Sequence, residues 1–150
     1  MKRTTMALLF AAAFAGGCTQ MEHMMQGDSR MERHSTGEQV NLAGSNEVPP
    51  VTSPASGSGT VTVNADRTVS AHIMVTGMTA TAAHIHQGAP GASGPVIVPF
   101  VKQGDNMFVA PEGAKMTEDQ YRAYKSGNTY VNVHSAKNPS GEIRAQLKGN

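Results

Sequence analysis

Histidine is the side chain whose chemistry is hardest to ignore in this sequence. His84 and His86 flank a single isoleucine in AAHIHQGAPGASGPV, residues 82–96. His134 closes YVNVH, residues 130–134, just before a second turn-rich stretch, SAKNPSG, 135–141. On a β-strand, residues i and i+2 share a face. Both imidazoles of the HIH pair then point one way and Ile85 the other. In the later segment Tyr130, Asn132 and His134 share a face, opposite Val131 and Val133. If the isoleucine and valines take the core, all three histidines fall on the other face. They converge there if the two strands are neighbours. Three neutral imidazoles suit copper or zinc and leave a coordination position open. His72 and Met74 share the face of another strand and are candidates for a further ligand. Imidazoles before Gly/Pro loops also bond loop carbonyls with no metal present. Glu142 and Arg144, at i and i+2, can form a cross-strand ion pair, and Glu47 can accept from a histidine or from Arg144. A polar cluster of that kind holds two loops together, and the same residues then serve structure alone.

Other chemistry is poorly supplied. No serine sits in a nucleophile elbow, and the domain holds no cysteine. GAPGASG, residues 88–94, precedes no helix and is a turn, not a phosphate loop. The formal charge of +1 gives no basic field for nucleic acid. These absences point to binding, and the chain is not expected to be an enzyme.

The elements that position the histidines follow from alternation. Sixteen glycines and eight prolines in 150 residues, with no Trp, favour a turn-rich β fold. Seven strands are expected: 39–44, 59–64, 68–77, 81–87, 95–101, 129–135 and 141–148. The runs 59–64 and 68–77 make a hairpin about the turn ADR, with Val69, Ala71, Ile73 and Val75 on its inner face. Residues 45–57 are a Pro/Ser loop, and Pro99 marks an edge or a bulge. One helix is expected over 116–127. It has Thr117 as N-cap, Gln120 completing a capping box and Gly127 as its stop. Met116 and Tyr121 occupy the positions of a hydrophobic staple. One face buried and one solvated implies antiparallel pairing. The fold class is therefore all-β: an antiparallel immunoglobulin-like sandwich or Greek-key barrel with one short helix.

Residues 1–17 have the pattern of a secretory signal peptide: Lys2 and Arg3, then the apolar run 7–14, then Ala15, Gly16 and Gly17. AGGC resembles a bacterial lipobox, with Ala15 where Leu is usual, and makes Cys18 a lipidation site. Ordinary cleavage leaving a free thiol is the alternative. Thr19 after the cysteine fits sorting to the outer membrane, facing the periplasm or the cell surface. Removing residues 1–17 leaves 10 basic against 11 acidic residues, a charge of −1. Residues 18–37 carry Met21, Met24, Met25 and Met31 with His23 and His34. They read as a flexible tether, whose soft ligands also suit Cu(I). The domain then occupies 38–150.

NLAGSNEVPPVTSPASGSGTVTVN, AAHIHQGAPGASGPVIV and YVNVHSAKNPSGEIRAQL resemble the signature blocks of the CHRD domain, a module named for chordin and found in many bacterial secreted proteins. The resemblance spans about residues 39–148. It implies a compact all-β, immunoglobulin-like sandwich and carries no firm catalytic assignment. The family's HIH pair, VH and GEIR motifs fall on His84 and His86, on His134, and on Glu142 and Arg144. The expected function is an extracytoplasmic, lipid-anchored domain binding a transition metal, copper before zinc. The alternative is a protein- or matrix-interaction module of the cell envelope.

Overall fold

The computed structural model describes residues 37–150. The expected signal peptide, Cys18 and the expected tether with its Met and His residues lie outside the described residues. Nine strands and one α-helix follow in chain order, with a short 3-10 turn at Gly44–Asn46. They are β1 (Glu38–Ala43), β2 (Ser56–Val63), β3 (Val69–Thr76), β4 (Ala80–Gln87), β5 (Val96–Pro99), β6 (Val101–Gln103), β7 (Met107–Val109), α1 (Glu118–Lys125), β8 (Thr129–Ser135) and β9 (Ile143–Leu147). Every named pairing is antiparallel, as one-face burial requires.

The strands form a single sheet in the order β5-β4-β8-β9-β1-β2-β3-β7-β6. Its two ends, β5 and β6, are halves of one run of chain broken at Pro99–Phe100. The Phe100 amide donates to the Ala83 carbonyl at 3.0 Å, and Lys102 Nζ donates to the Ala80 carbonyl at 2.8 Å. The sheet therefore curls until its last strand lies against β4, and a nearly closed barrel results. Of the two architectures the alternation allows, this is the barrel-like one, because the expected second sheet is the far half of the first. The break at Pro99 is the irregularity a residue without an N–H imposes on a strand. It divides one expected strand into β5 and β6. The short β7 lies outside the seven expected strands, and β2 starts three residues earlier than its alternation suggests.

The core is the inner face of this sheet. Val61, Ile73, Val75, Ile85, Val131, Val133, Ile143 and Leu147 are all fully buried. Each such burial contributes about 1.5–3 kcal/mol against exposure. The hairpin β2–β3 pairs Val63 with Val69 around the turn, where Asp66 Oδ1 accepts from the Thr68 amide at 3.0 Å. In α1 the capping box is complete. Thr117 Oγ1 accepts from the Gln120 amide at 3.2 Å, and Gln120 Oε1 accepts from the Thr117 amide at 2.8 Å. The helix stops at Gly127, whose φ of +71° suits a residue without Cβ. That turn launches β8 directly, so the helix stop fixes where β8 begins. Among the described residues no helix is long and apolar enough to cross a membrane.

Candidate metal centre

Pairing of β4 with β8 brings the three histidines together. Ile85 lies opposite Val131 and Ala83 opposite Val133, all on the core face. On the outer face His84 lies opposite Asn132, His86 opposite Tyr130 and Ala82 opposite His134. His84 and His134 are thus diagonal neighbours, and His84 Nδ1 stands 3.0 Å from His134 Nε2. One ring nitrogen from each of His84, His86 and His134 lies within 4.8 Å of the others. An ion bound at about 2.0 Å sets nitrogens about 3.3 Å apart, so small ring movements suffice.

Two of the three tautomers are fixed by backbone. A carbonyl accepts only, so a ring nitrogen beside it must carry the proton. His134 Nδ1 donates to the Pro139 carbonyl at 3.0 Å, and His86 Nδ1 donates to the Gly94 carbonyl at 2.9 Å. Each Nε2 is left with its lone pair. His86 Nε2 is buried with no hydrogen-bond partner. This is the support that orients metal-bound imidazoles, an N–H to a carbonyl on the far side of the ring. His84 Nδ1 either donates to His134 Nε2 or shares an ion with it. Electrostatics favour neutral rings. Burial, with His134 and His86 close by, pushes His84 down to about 4 from 6.5. Burial also lowers His134, against its bond to Pro139.

The outer face of β8 is buried too, because loops cover it. In the GAPGASG loop a Cβ on Gly94 would stand 1.7 Å from the Gln87 carbonyl oxygen, so no other residue fits that approach. The Gly94 amide donates to the Tyr130 hydroxyl at 3.2 Å. Arg144 Nη2 donates to the carbonyls of Ala92 at 3.0 Å and Ala89 at 3.4 Å. Gln146 Nε2 reaches Gly88 and Gly127, each at 2.9 Å. The Tyr130 ring is stacked on His86 at 5° and 4.9 Å between centroids, and the Arg144 guanidinium carbon sits 3.5 Å from its centroid. An Arg144–Tyr130–His86 stack thus backs the site.

The expected Glu142–Arg144 pair does not form. β9 begins at Ile143, so Glu142 belongs to the preceding turn and the i, i+2 rule does not reach it. Its carboxylate accepts from Ser53 Oγ at 2.5 Å and from Ser135 Oγ. Those two hydroxyl donors hold it below the usual carboxylate range. Arg144 faces Glu47 instead, without a direct ion pair. Burial raises the Glu47 carboxyl, and Arg144 and Asn132 oppose the rise. No hydrogen bond joins Glu47 to a histidine among the described residues. Gly141, at φ +136°, leaves room here, since a Cβ would meet Glu47 Oε1 at 2.5 Å. His72 and Met74 stand apart. They lie exposed on β3, five positions from β4 in the sheet, with His72 opposite Thr60 and Val109. They do not join the cluster. Tyr130, Gly94, Ser53, Ser135 and Gln146 were missed as contributors. The sequence signal for the first two was the shared face of Tyr130 with His134 and the run of small residues after the HIH pair.

No curated protein and no solved structure matches the chain. The CHRD domain pattern matches residues 39–147, nearly all of the described residues. The chain belongs to the CHRD domain family.

Proposed function

We propose that this CHRD domain binds a transition-metal ion, copper before zinc, through His84 Nδ1, His86 Nε2 and His134 Nε2. The observation that carries this reading is that one ring nitrogen from each of the three histidines lies within 4.8 Å of the others, while the carbonyls of Pro139 and Gly94 take the Nδ1 protons of His134 and His86 and leave each Nε2 its lone pair. The ligands are neutral imidazoles with no carboxylate or thiolate in the group, which suits copper and zinc and not the hard cations. The domain binds; it does not catalyse. Because burial lowers His84 from 6.5 to about 4, protons compete for that ligand only near pH 4. The CHRD membership supports a place outside the cytoplasm, and the lipobox-like pattern before Cys18 supports anchoring through a lipid on that residue. A Cys18→Ser chain that keeps the lipid's mass would end the anchoring idea.

A second reading has its own observation. The 3.0 Å His84–His134 contact is also a hydrogen bond between neutral rings. With the Glu142 and Arg144 networks it would tie loops together for a protein- or matrix-interaction surface. Calorimetric titration of the full chain with Cu(I), Cu(II) and Zn(II) separates the two, with His84→Ala/His86→Ala/His134→Ala in parallel. The metal reading requires one equivalent that the triple variant lacks. Equal binding by both chains, with the variant only less stable, leaves the histidines structural.

A further inference from the structure

Arg144 is 2% exposed and carries a charge that nothing in contact with it neutralises. Among the described residues the ion pairs are those of Arg122 with Glu118 and Asp119, on the helix. Arg144 Nη2 is spent on neutral acceptors: the carbonyls of Ala89 and Ala92, and Gln146 Oε1 at 3.0 Å. Its Nη1 is buried without a partner. The neighbouring Glu47 carboxyl makes no ion pair with it; burial raises that carboxyl while Arg144 draws it down. The guanidinium lies on one face of the Tyr130 ring, and His86 lies parallel on the other. A permanent positive charge is therefore held behind a ligand ring, inside the protein, beside a group of three uncharged ligands.

Resting on the metal-site reading above, we infer that Arg144 is the residue that sets which oxidation state the site prefers, disfavouring a dication more than a monocation and so favouring Cu(I) over Cu(II) and over Zn(II). Arg144 touches neither the ion nor its ligands' nitrogens and acts through space. At an effective dielectric of about 20, one unit of charge roughly 9 Å away is worth a factor of about 20 in relative affinity. Residual screening brings this to about tenfold. A guanidinium that only propped the GAPGASG loop would change both affinities together and leave their ratio alone.

The test is the Cu(II)/Cu(I) midpoint potential of the copper-loaded full chain, with any signal retained by the triple-histidine variant subtracted. Arg144→Gln removes the charge. Gln146→Glu keeps the Arg144 charge and sets a carboxylate against its Nη2, at the cost of the bonds from Gln146 Nε2 to Gly88 and Gly127, so its effect is read as the Cu(II)/Cu(I) ratio and not as affinity. Both should lower the preference for Cu(I) about tenfold, which for a one-electron couple is about 59 mV. Both should tighten Zn(II) relative to Cu(I). Arg144→Lys, which keeps the charge, should hold the wild-type ratio. If Arg144→Gln does not fold, Gln146→Glu decides. An unmoved ratio in a folded, copper-binding variant overturns the inference while leaving the metal site standing. So does an Arg144→Lys shift as large as that of Arg144→Gln. A wild-type chain with no copper equivalent beyond that of the triple variant overturns the site and the tuning with it.

Discussion

Two outer faces of one sheet carry histidines and end differently. On β3, His72 and Met74 alternate with Ile73 and Val75 as cleanly as any residues in the chain, yet both lie in solvent. On β4 and β8, His84, His86 and His134 obey the same alternation and lie beneath loops. Alternation decides only that a side chain leaves the core; what covers the outer face decides what it can do. On the covered face Pro139 and Gly94 fix two ring tautomers before any ligand arrives, so little ordering remains to be done on binding. His72 has no comparable support in sequence or space, and a ligand there would have to restrain it unaided.

The sharpest way to break this comparison is to delete one histidine from each face. His86→Ala should weaken the tightest metal equivalent by more than about 100-fold, since loss of a supporting hydrogen bond alone costs 10–100-fold. His72→Ala should leave it unchanged. Competition against a chelator reads both, and equal losses would sink the claim that cover distinguishes the faces. Glycines offer the next contrast. Gly94→Ala drives a methyl into the Gln87 carbonyl and displaces the oxygen that orients His86. It should cost roughly 3 kcal/mol of stability and weaken metal binding. Gly104, in the β6–β7 turn at φ +69°, has nothing within 4 Å of an added Cβ. Gly104→Ala should cost only about 1–2 kcal/mol, from its backbone conformation, with metal affinity intact. Denaturant unfolding of both variants is the measurement, and a Gly94→Ala chain no less stable than Gly104→Ala would contradict it.

What was legible in the sequence was local. The α1 capping box spans four residues and was readable in full. The split of AAHIH and YVNVH into inner and outer faces needs only a period of two. Convergence of the three rings needed the pairing of β4 with β8, which is set by burial of Ile85 against Val131 across more than forty residues. No short-range pattern carries that. Glu142 and Arg144 misled because the strand starts one residue after Glu142, and a period of two has no meaning across a turn. MFV at 107–109 is too short to show alternation. The Arg144–Tyr130–His86 stack joins three strands, and its members look unrelated in the chain.

Glu142 sharpens the comparison at smaller scale, since its carboxylate closes the far rim of the covered face. Glu142→Gln keeps the shape and sets an amide N–H₂ against one of the two serine hydroxyls. It should cost about 1–3 kcal/mol at neutral pH. The folded pKa is depressed below 4.5, so the wild-type advantage is present above 4.5 and disappears as pH falls through the folded value. Stability curves of the two proteins should therefore meet in acid. A gap that persists there would assign the cost to packing.

The smallest expected effect is a slope. In the metal-free protein His84 titrates near 4, while unfolded it titrates near 6.5. Between those values the unfolded chain takes up a proton that the folded site refuses. Stability contributed by the neutral ring is complete above 6.5 and is lost as pH falls toward 4. His84→Ala should flatten that part of the curve. Zinc tightens the distinction: a bound ion stabilises the neutral rings further, so the loaded wild-type protein should hold its stability to lower pH than the metal-free one. A slope that His84→Ala leaves unchanged would mean that burial beneath the loops does not hold that ring neutral.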